Sequence, residues 1–354
     1  MKIFVGVSGG VDSAVAALLL REQGHDLEAL FMANWDEDDA YCSQAQDFQD
    51  ARAVCKELGV VLHRVSFAEE YRRQVFDDFL AAHRAGRTPN PDVLCNREIK
   101  FGVALAHARR LGATRFATGH YARRVDGADG PELHTAADRA KDQSYFLHAI
   151  DREQLSAALF PLGGLTKSEV RAKARAAGLP VHDKKDSTGI CFIGERPFRE
   201  FLAQWLPDAP GPVADEQGIE LGRHRGLAFH TLGQRAGLSI GGLQGRAEAP
   251  WYVARKDAGR NALVVVQGQD HPLLMSQTLV TGRAHWLAPP STDRFRCAAK
   301  IRYRQTDQPC EVGVRDDGGL ELRFDAPQRA ATPGQFAVLY DGERCLGGAA
   351  IESI

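Results

Sequence analysis

The chain has 354 residues, more than one compact core usually holds, which favours two or three domains. Hydrophobic residues at 44% and charged residues at 25% are those of a soluble globular protein, and exclude a disordered, collagen-like or membrane-spanning chain. Lys and Arg total 44 against 46 Asp and Glu, a formal charge of −2, so a generally basic surface is excluded and nucleic-acid binding must be argued from local patches.

Seven cysteines spread over this length do not form the dense, even framework of a small secreted domain. The apolar run at Met1–Gly6 is too short for a signal peptide, so the expected location is the cytoplasm, with reduced thiols open to chemistry.

In chain order, Ile3–Val7 reads as a buried parallel strand, and Val11, Ala14, Val15, Leu18 and Leu19 recur at helical spacing up to Gly24. Leu27–Met32 is the next strand, a helix over 45–58 ends at Gly59, and Val60–Leu62 is a third strand. A helix over 99–110 stops at Gly112 before the strand Arg115–Thr118. Strands alternating with helices predict a doubly wound α/β fold with a parallel sheet. Lys167–Ala177 is a helix opened by Thr166, with Glu169 completing a capping box, and Phe198–Leu206 is one more. The stretch Pro207–Pro212 then punctuates the chain. Beyond it β-prone runs dominate, with strands expected at 262–266, 300–303, 311–314, 320–324 and 336–340 and a second junction at Ala288–Pro290. The expected organisation is an α/β catalytic domain over 1–206, a central β-rich domain over 207–280 and a C-terminal antiparallel β-barrel-like domain over 281–354.

The first strand runs into Ser8-Gly9-Gly10-Val11-Asp12-Ser13 and then a helix. Glycines let backbone N–H groups approach an anion, and a helix N-terminus adds a favourable dipole. Asp12 would repel phosphate, so it either caps the helix or holds a metal ion bridging phosphates. The Walker lysine is absent. This hexapeptide resembles the PP-loop of the adenine-nucleotide α-hydrolases, which cleave ATP between its α- and β-phosphates.

Two cysteines stand in unusual settings. Cys95 closes Thr88-Pro89-Asn90-Pro91-Asp92-Val93-Leu94-Cys95, where prolines impose an irregular loop. If Cys95 begins the following helix, the helix N-terminus lowers its thiol pKa; the alternative is a small buried hydrophobe. Cys191 lies between Gly189 and Gly194, after Lys184-Lys185, and is either a reactive thiol on a loop or a packed one. No C-x-x-C pair occurs and zinc-type ligand spacing is absent. Lys300-Ile301-Arg302-Tyr303-Arg304 alternates as a strand would, placing three cations on one face beside Arg283, Arg294 and Arg296, with only Asp293 and Asp307 nearby in sequence; that suits phosphate contact.

Together with Ala117-Thr118-Gly119-His120-Tyr121, Lys141–Leu147, Asp186–Gly194 and Thr332-Pro333-Gly334-Gln335, these segments resemble the tRNA-uridine 2-sulfurtransferases along nearly the whole chain. The resemblance implies ATP-dependent 2-thiolation of the wobble uridine of tRNA, with Mg²⁺ accompanying the ATP. It implies ATP contacts from Gly6, Val7, Ser8, Gly9, Gly10, Val11, Asp12, Ser13, Met32 and Gly119. Asn90, Pro91 and Asp92 would touch the target base, Asp92 as general acid/base. Cys191 would carry a persulfide and Cys95 would be the nucleophile, ending in a transient Cys95–Cys191 disulfide. His120, Lys141, Asp142, Gln143, Arg302, Tyr303 and Gln335 would contact tRNA, the family's substrates being the tRNAs for Lys, Glu and Gln. The chain has no desulfurase domain, so a cysteine desulfurase, directly or through sulfur-relay proteins, would donate the sulfur. The rivals are another AMP-forming PP-loop ligase acting on a small molecule or a different RNA position, and a nucleotide-dependent RNA-binding module without catalysis.

Overall fold

The computed structural model describes residues 1–35, 44–186, 198–238, 240 and 249–354. Five strands form a parallel sheet in the order β3-β2-β1-β4-β7: β1 (Lys2–Gly6), β2 (Asp26–Ala33), β3 (Val61–Ser66), β4 (Arg115–Ala117) and β7 (Ala158–Leu159). Side chains alternate across a strand, so β1, apolar from Ile3 onward, serves two cores. Ile3 and Val5 pack with α1 (Val11–Glu22), α2 (Gln44–Leu58) and α7 (Lys167–Ala176). Phe4 faces the opposite layer, made by the continuous helices α3 (68–84) and α4 (91–110). The doubly wound domain is therefore as expected, and Thr166 and Glu169 form the capping box at the start of α7.

Because β2 and β3 lie on one side of β1 while β4 and β7 lie on the other, the chain reverses its winding between β1 and β4. The C-terminal ends of strands flanking such a reversal open a crevice where ligands of α/β folds bind. Here those ends deliver the Ser8–Ser13 loop and Thr118-Gly119-His120.

The hairpin of β5 (Ala122–Gly127) and β6 (Gly130–Thr135), absent from the reading of the sequence, leaves this domain and pairs with the last strand of the chain. Short helices α5 (Ser144–Leu147) and α6 (Arg152–Ala157) follow it, and α8 (Phe198–Ala203) precedes the central module. That module is a four-stranded sheet, β10-β11-β8-β9, built from β8 (Gly211–Ala214), β9 (Glu220–His224), β10 (Trp251–Asp257) and β11 (Ala262–Gln267).

The C-terminal module is a closed six-stranded antiparallel barrel. It comprises β12 (Met275–Arg283), β14 (Arg294–Lys300), β15 (Gln308–Val314), β16 (Gly319–Arg329), β17 (Phe336–Asp341) and β18 (Arg344–Ser353), with the short β13 (His285–Trp286) against β18. Pairing of β12 with both β16 and β18 closes it. Since β12 belongs to it, the barrel starts at Met275 rather than 281, and Ala288–Pro290 is a connection inside it rather than a junction.

The cationic stripe is also revised. β14 ends at Lys300, and Ile301–Arg304 turns, with Arg304 at φ +63°, so period-2 alternation never develops. Arg294 and Arg296 meet Glu311 of the neighbouring β15 and Asp325 of β16, one strand further. Lys300 is only 6% exposed and pairs with Asp142 of the first domain at 3.3 Å and with Asp307 of its own barrel at 3.5 Å. Removing one partner of a buried ion pair leaves the other desolvated and unneutralised. Lys300→Met should therefore cost about 3 kcal/mol, read as a lowered denaturant midpoint, and the Asp142→Asn/Lys300→Met double variant should lose much less than the sum.

Burial also holds three histidines, His83, His148 and His230, at pKa values of about 4. The unfolded chain protonates them near pH 6.5, so between about 6.5 and 4 it binds more protons than the folded one and stability falls as pH falls. Tm should drop by about 5 °C or more from pH 7.5 to 5, whereas a flat profile would contradict this burial.

Candidate active site

The loop after β1 is held by its own side chains. The Ser8 backbone N–H donates to Ser13 Oγ at 3.1 Å, and Ser13 Oγ donates to the Gly10 carbonyl at 3.1 Å. Gly9 has φ +74°, and a Cβ there would lie 2.3 Å from the Asp47 carbonyl oxygen, so only glycine fits. Gly10 is the N-cap of α1 and no side chain caps that helix. The capping role considered for Asp12 is thus not found. Its carboxylate instead receives Lys167 Nζ at 2.7 and 2.8 Å and the Tyr121 hydroxyl at 2.9 Å. Across the crevice, Gly119 presses on the loop: a Cβ there would sit 2.7 Å from the Ser13 nitrogen and 2.8 Å from the Asp12 carbonyl carbon.

A charge network surrounds the loop. Asp186 accepts from Lys141 at 2.8 Å, Lys167 at 2.7 Å and Arg171 at 3.0 Å. Burial alone would raise its pKa, but the hydrogen bonds from Lys141 and Lys167 and their charges outweigh it and hold the carboxyl at about 2. Lys184 donates to the Gly9 carbonyl at 3.1 Å while pairing with Asp47 and Asp50, tying α2 to the loop. Met32 lies on β2 beside Gly6, 3.5 Å from where a Gly6 Cβ would be. Two residues on, Asn34 is fully buried with neither side-chain polar atom hydrogen-bonded among the described residues. An orphaned amide at the mouth of the crevice fits a site built around a polar ligand.

The Thr88–Cys95 segment is placed by all three modules. The Thr88 N–H donates to the Pro333 carbonyl, and Gln335 Nε2 donates to the carbonyls of Thr88 at 2.9 Å and Pro89 at 3.2 Å. Thr88 also meets Thr231 of the central module, whose Lys256 holds the Gly86 carbonyl at 2.9 Å. Asn90 is the extended N-cap of α4, and Pro91 and Asp92 open the helix half-buried. The helix thus begins four residues before Cys95. Cys95 therefore does not begin the helix but sits in a π-helical stretch, Cys95–Ala104, 0% exposed in the apolar core. Cys191 lies outside the described residues, and so does any Cys95–Cys191 pairing.

The residues expected to meet tRNA divide. Arg302 is exposed, Tyr303 packs on Phe146 with ring centroids 4.5 Å apart, and Arg304 lies over Tyr303. His120 is 8% exposed, bonded to Thr118 at 2.7 Å; burial first, then the Lys100 charge, drives its pKa well down. Asp142 is 5% exposed and accepts the Ala136 and Ser144 N–H groups besides pairing with Lys300. Gln143 exchanges hydrogen bonds with the Tyr121 backbone. His120 and Asp142 are therefore largely covered from solvent in this structure.

Reading the sequence missed Lys167, Tyr121 and Asp186 as members of the site. One signal existed: Lys167 is the first residue of α7, where the helix dipole disfavours a cation unless an anion holds it.

A family model described as the tRNA methyl transferase HUP domain matches residues 1–195. Models for the tRNA methyl transferase PRC-barrel domain and the aminomethyltransferase beta-barrel domain match 199–267 and 276–351. The chain is 54% identical over 356 residues to a tRNA-specific 2-thiouridylase of Hahella chejuensis, covering 100% of this chain and 98% of that one. It is 55% identical over 355 residues to the 2-thiouridylase of Pseudomonas paraeruginosa, covering 99% and 94%. It is 52% identical over 354 residues to that of Francisella tularensis subsp. tularensis, covering 99% of each.

Proposed function

This chain belongs to the tRNA-specific 2-thiouridylase family, and from that membership we propose how its residues carry out ATP-dependent 2-thiolation of the wobble uridine of tRNA. It is a sulfurtransferase and a PP-loop protein that uses ATP. The observation that carries the mechanism is the crevice at the winding reversal, where Gly119 closes on a glycine loop leading into a helix N-terminus that no side chain caps among the described residues, a setting that suits an anion.

The C2 oxygen of uracil is a poor leaving group and must be activated. Attack of that oxygen on the α-phosphorus forms a C2–O–P bond and breaks the bond to pyrophosphate, which departs with the electron pair. Gly6–Ser13 and Gly119 bind the phosphates, with the backbone around Met32 against the adenine. Asp12 is the carboxylate beside the loop, and one carboxylate plus substrate phosphates is the donor set Mg²⁺ takes, supplying charge neutralisation there.

The wobble base must leave its stack to reach the crevice. The segment clamped by Gln335 and Thr231 presents Asn90, Pro91 and Asp92 to it, with Asp92 as general acid/base. Lys141, Gln143, Arg302 and Tyr303 contact the tRNA in this reading, Arg302 meeting phosphate.

Sulfur arrives as a persulfide on Cys191, from a cysteine desulfurase directly or through relay proteins. One route has its terminal sulfur add at C2 and expel AMP, after which Cys95 attacks Cys191 Sγ and frees the thiolated base. In the other, Cys95 first releases hydrosulfide, which then adds. Both end in a Cys95–Cys191 disulfide, and a two-electron dithiol reductant restores the thiols. The tRNAs for Lys, Glu and Gln are the proposed substrates.

Incubating the protein with ATP, Mg²⁺, unmodified tRNA and a persulfide donor should give 2-thiouridine and AMP in equal amounts. AMP without thiouridine would reject the reading in favour of another acceptor.

A further inference from the structure

The loop lacks the lysine that P-loops place on the β- and γ-phosphates, yet a lysine is already there from elsewhere in the chain. Lys167 Nζ sits 2.7 and 2.8 Å from the two Asp12 oxygens, inside the first turn of α1, and 2.7 Å from Asp186 Oδ1. Its side chain is 13% exposed and its ammonium lies 5.9 Å from the centre of the Tyr121 ring. Its backbone N–H is held by Asp138 Oδ2 at 2.9 Å, so the first turn of α7 is fixed against the loop. The starts of α1 and α7 therefore converge on one carboxylate–ammonium pair.

Charge decides what that pair does when a polyphosphate arrives. Asp12 repels the incoming anion, whereas Asp12 and Asp186 together face three cations, Lys141, Lys167 and Arg171. Asp138, whose carboxylate holds the Lys167 N–H, brings the cluster to three carboxylates against three cations, so it carries no net negative charge of its own. If Lys167 swings away, Asp186 retains Lys141 and Arg171, whereas Asp12 keeps the Tyr121 hydroxyl.

We propose that Lys167 is the phosphate-binding lysine of this site: its ammonium leaves Asp12 for the β- and γ-phosphate oxygens of ATP and stabilises pyrophosphate as it departs. The inference rests on the ATP reading above. When the α-phosphorus–oxygen bond breaks, the electron pair goes to the pyrophosphate oxygen, and Lys167 remains protonated, donating hydrogen bonds to the charge that develops. The adenosine end of the nucleotide gains nothing from it.

Calorimetric titration of the full chain with inorganic pyrophosphate and, separately, with AMP tests this. Lys167→Met should weaken pyrophosphate binding about 10- to 100-fold, the worth of a hydrogen bond to a charged group, and change AMP affinity less than about 3-fold. Lys167→Arg should recover part of the loss, and Lys173→Met, at an exposed position of the same helix, should match wild type. Unchanged pyrophosphate binding in Lys167→Met would overturn the proposal, and so would equal weakening of both ligands, which marks a merely structural lysine. Wild-type protein that binds neither ligand would instead overturn the ATP reading, and this inference with it.

Discussion

Cys95→Ser should cut 2-thiouridine formation below about 1% of wild type in the absence of added thiol, while pyrophosphate release in the first turnover stays within a few-fold. A serine hydroxyl is not deprotonated at neutral pH and cannot open the sulfur–sulfur bond, whereas a thiolate can. Adenylation needs only the phosphate loop and the base. If the persulfide attacks directly, tRNA should accumulate on Cys191 as a mixed disulfide that added thiol releases. Thiouridine at the wild-type rate without thiol would remove Cys95 from the chemistry.

Gly119→Ala should be as damaging to the first half-reaction. The new methyl would press on the backbone of Ser13 and Asp12, atoms that cannot rotate away as a side-chain tip would. The loop would have to retreat by several tenths of an ångström or more, and displacements approaching 1 Å in a reacting site cost about 100-fold. ATP-dependent AMP formation should fall by about that factor while far-ultraviolet circular dichroism stays native. Activity within about 3-fold of wild type would show that the loop tolerates the shift.

Much of this site was legible because its signals are local. The run Ile3–Val7, two glycines and a helical period at Val11 specify strand, anion loop and helix without any distant contact. Cys95 and the prolines before it were legible as an irregular entry to a helix, but whether the thiol faced solvent depended on Phe101 and the α3 layer, set by tertiary packing. Alternation at Lys300–Arg304 looked like a strand, yet the partner β17 covers only Ala298–Lys300, and the chain turns where pairing stops. Lys167 was visible as a helix opener and nothing more, because its partners lie 155 residues away at Asp12 and 19 residues on at Asp186. His120 and Asp142 illustrate the reverse: motif position suggests contact with RNA, while their burial is set by packing that the sequence does not display.

Underlying every step is the transfer of the uracil C2 oxygen to phosphorus. tRNA carrying ¹⁸O at C2 of the wobble uridine, turned over with ATP and a persulfide donor, reports on that bond by mass spectrometry of the released AMP. The account predicts one ¹⁸O atom in each AMP formed. Label found in water or pyrophosphate, with unlabelled AMP, would contradict it.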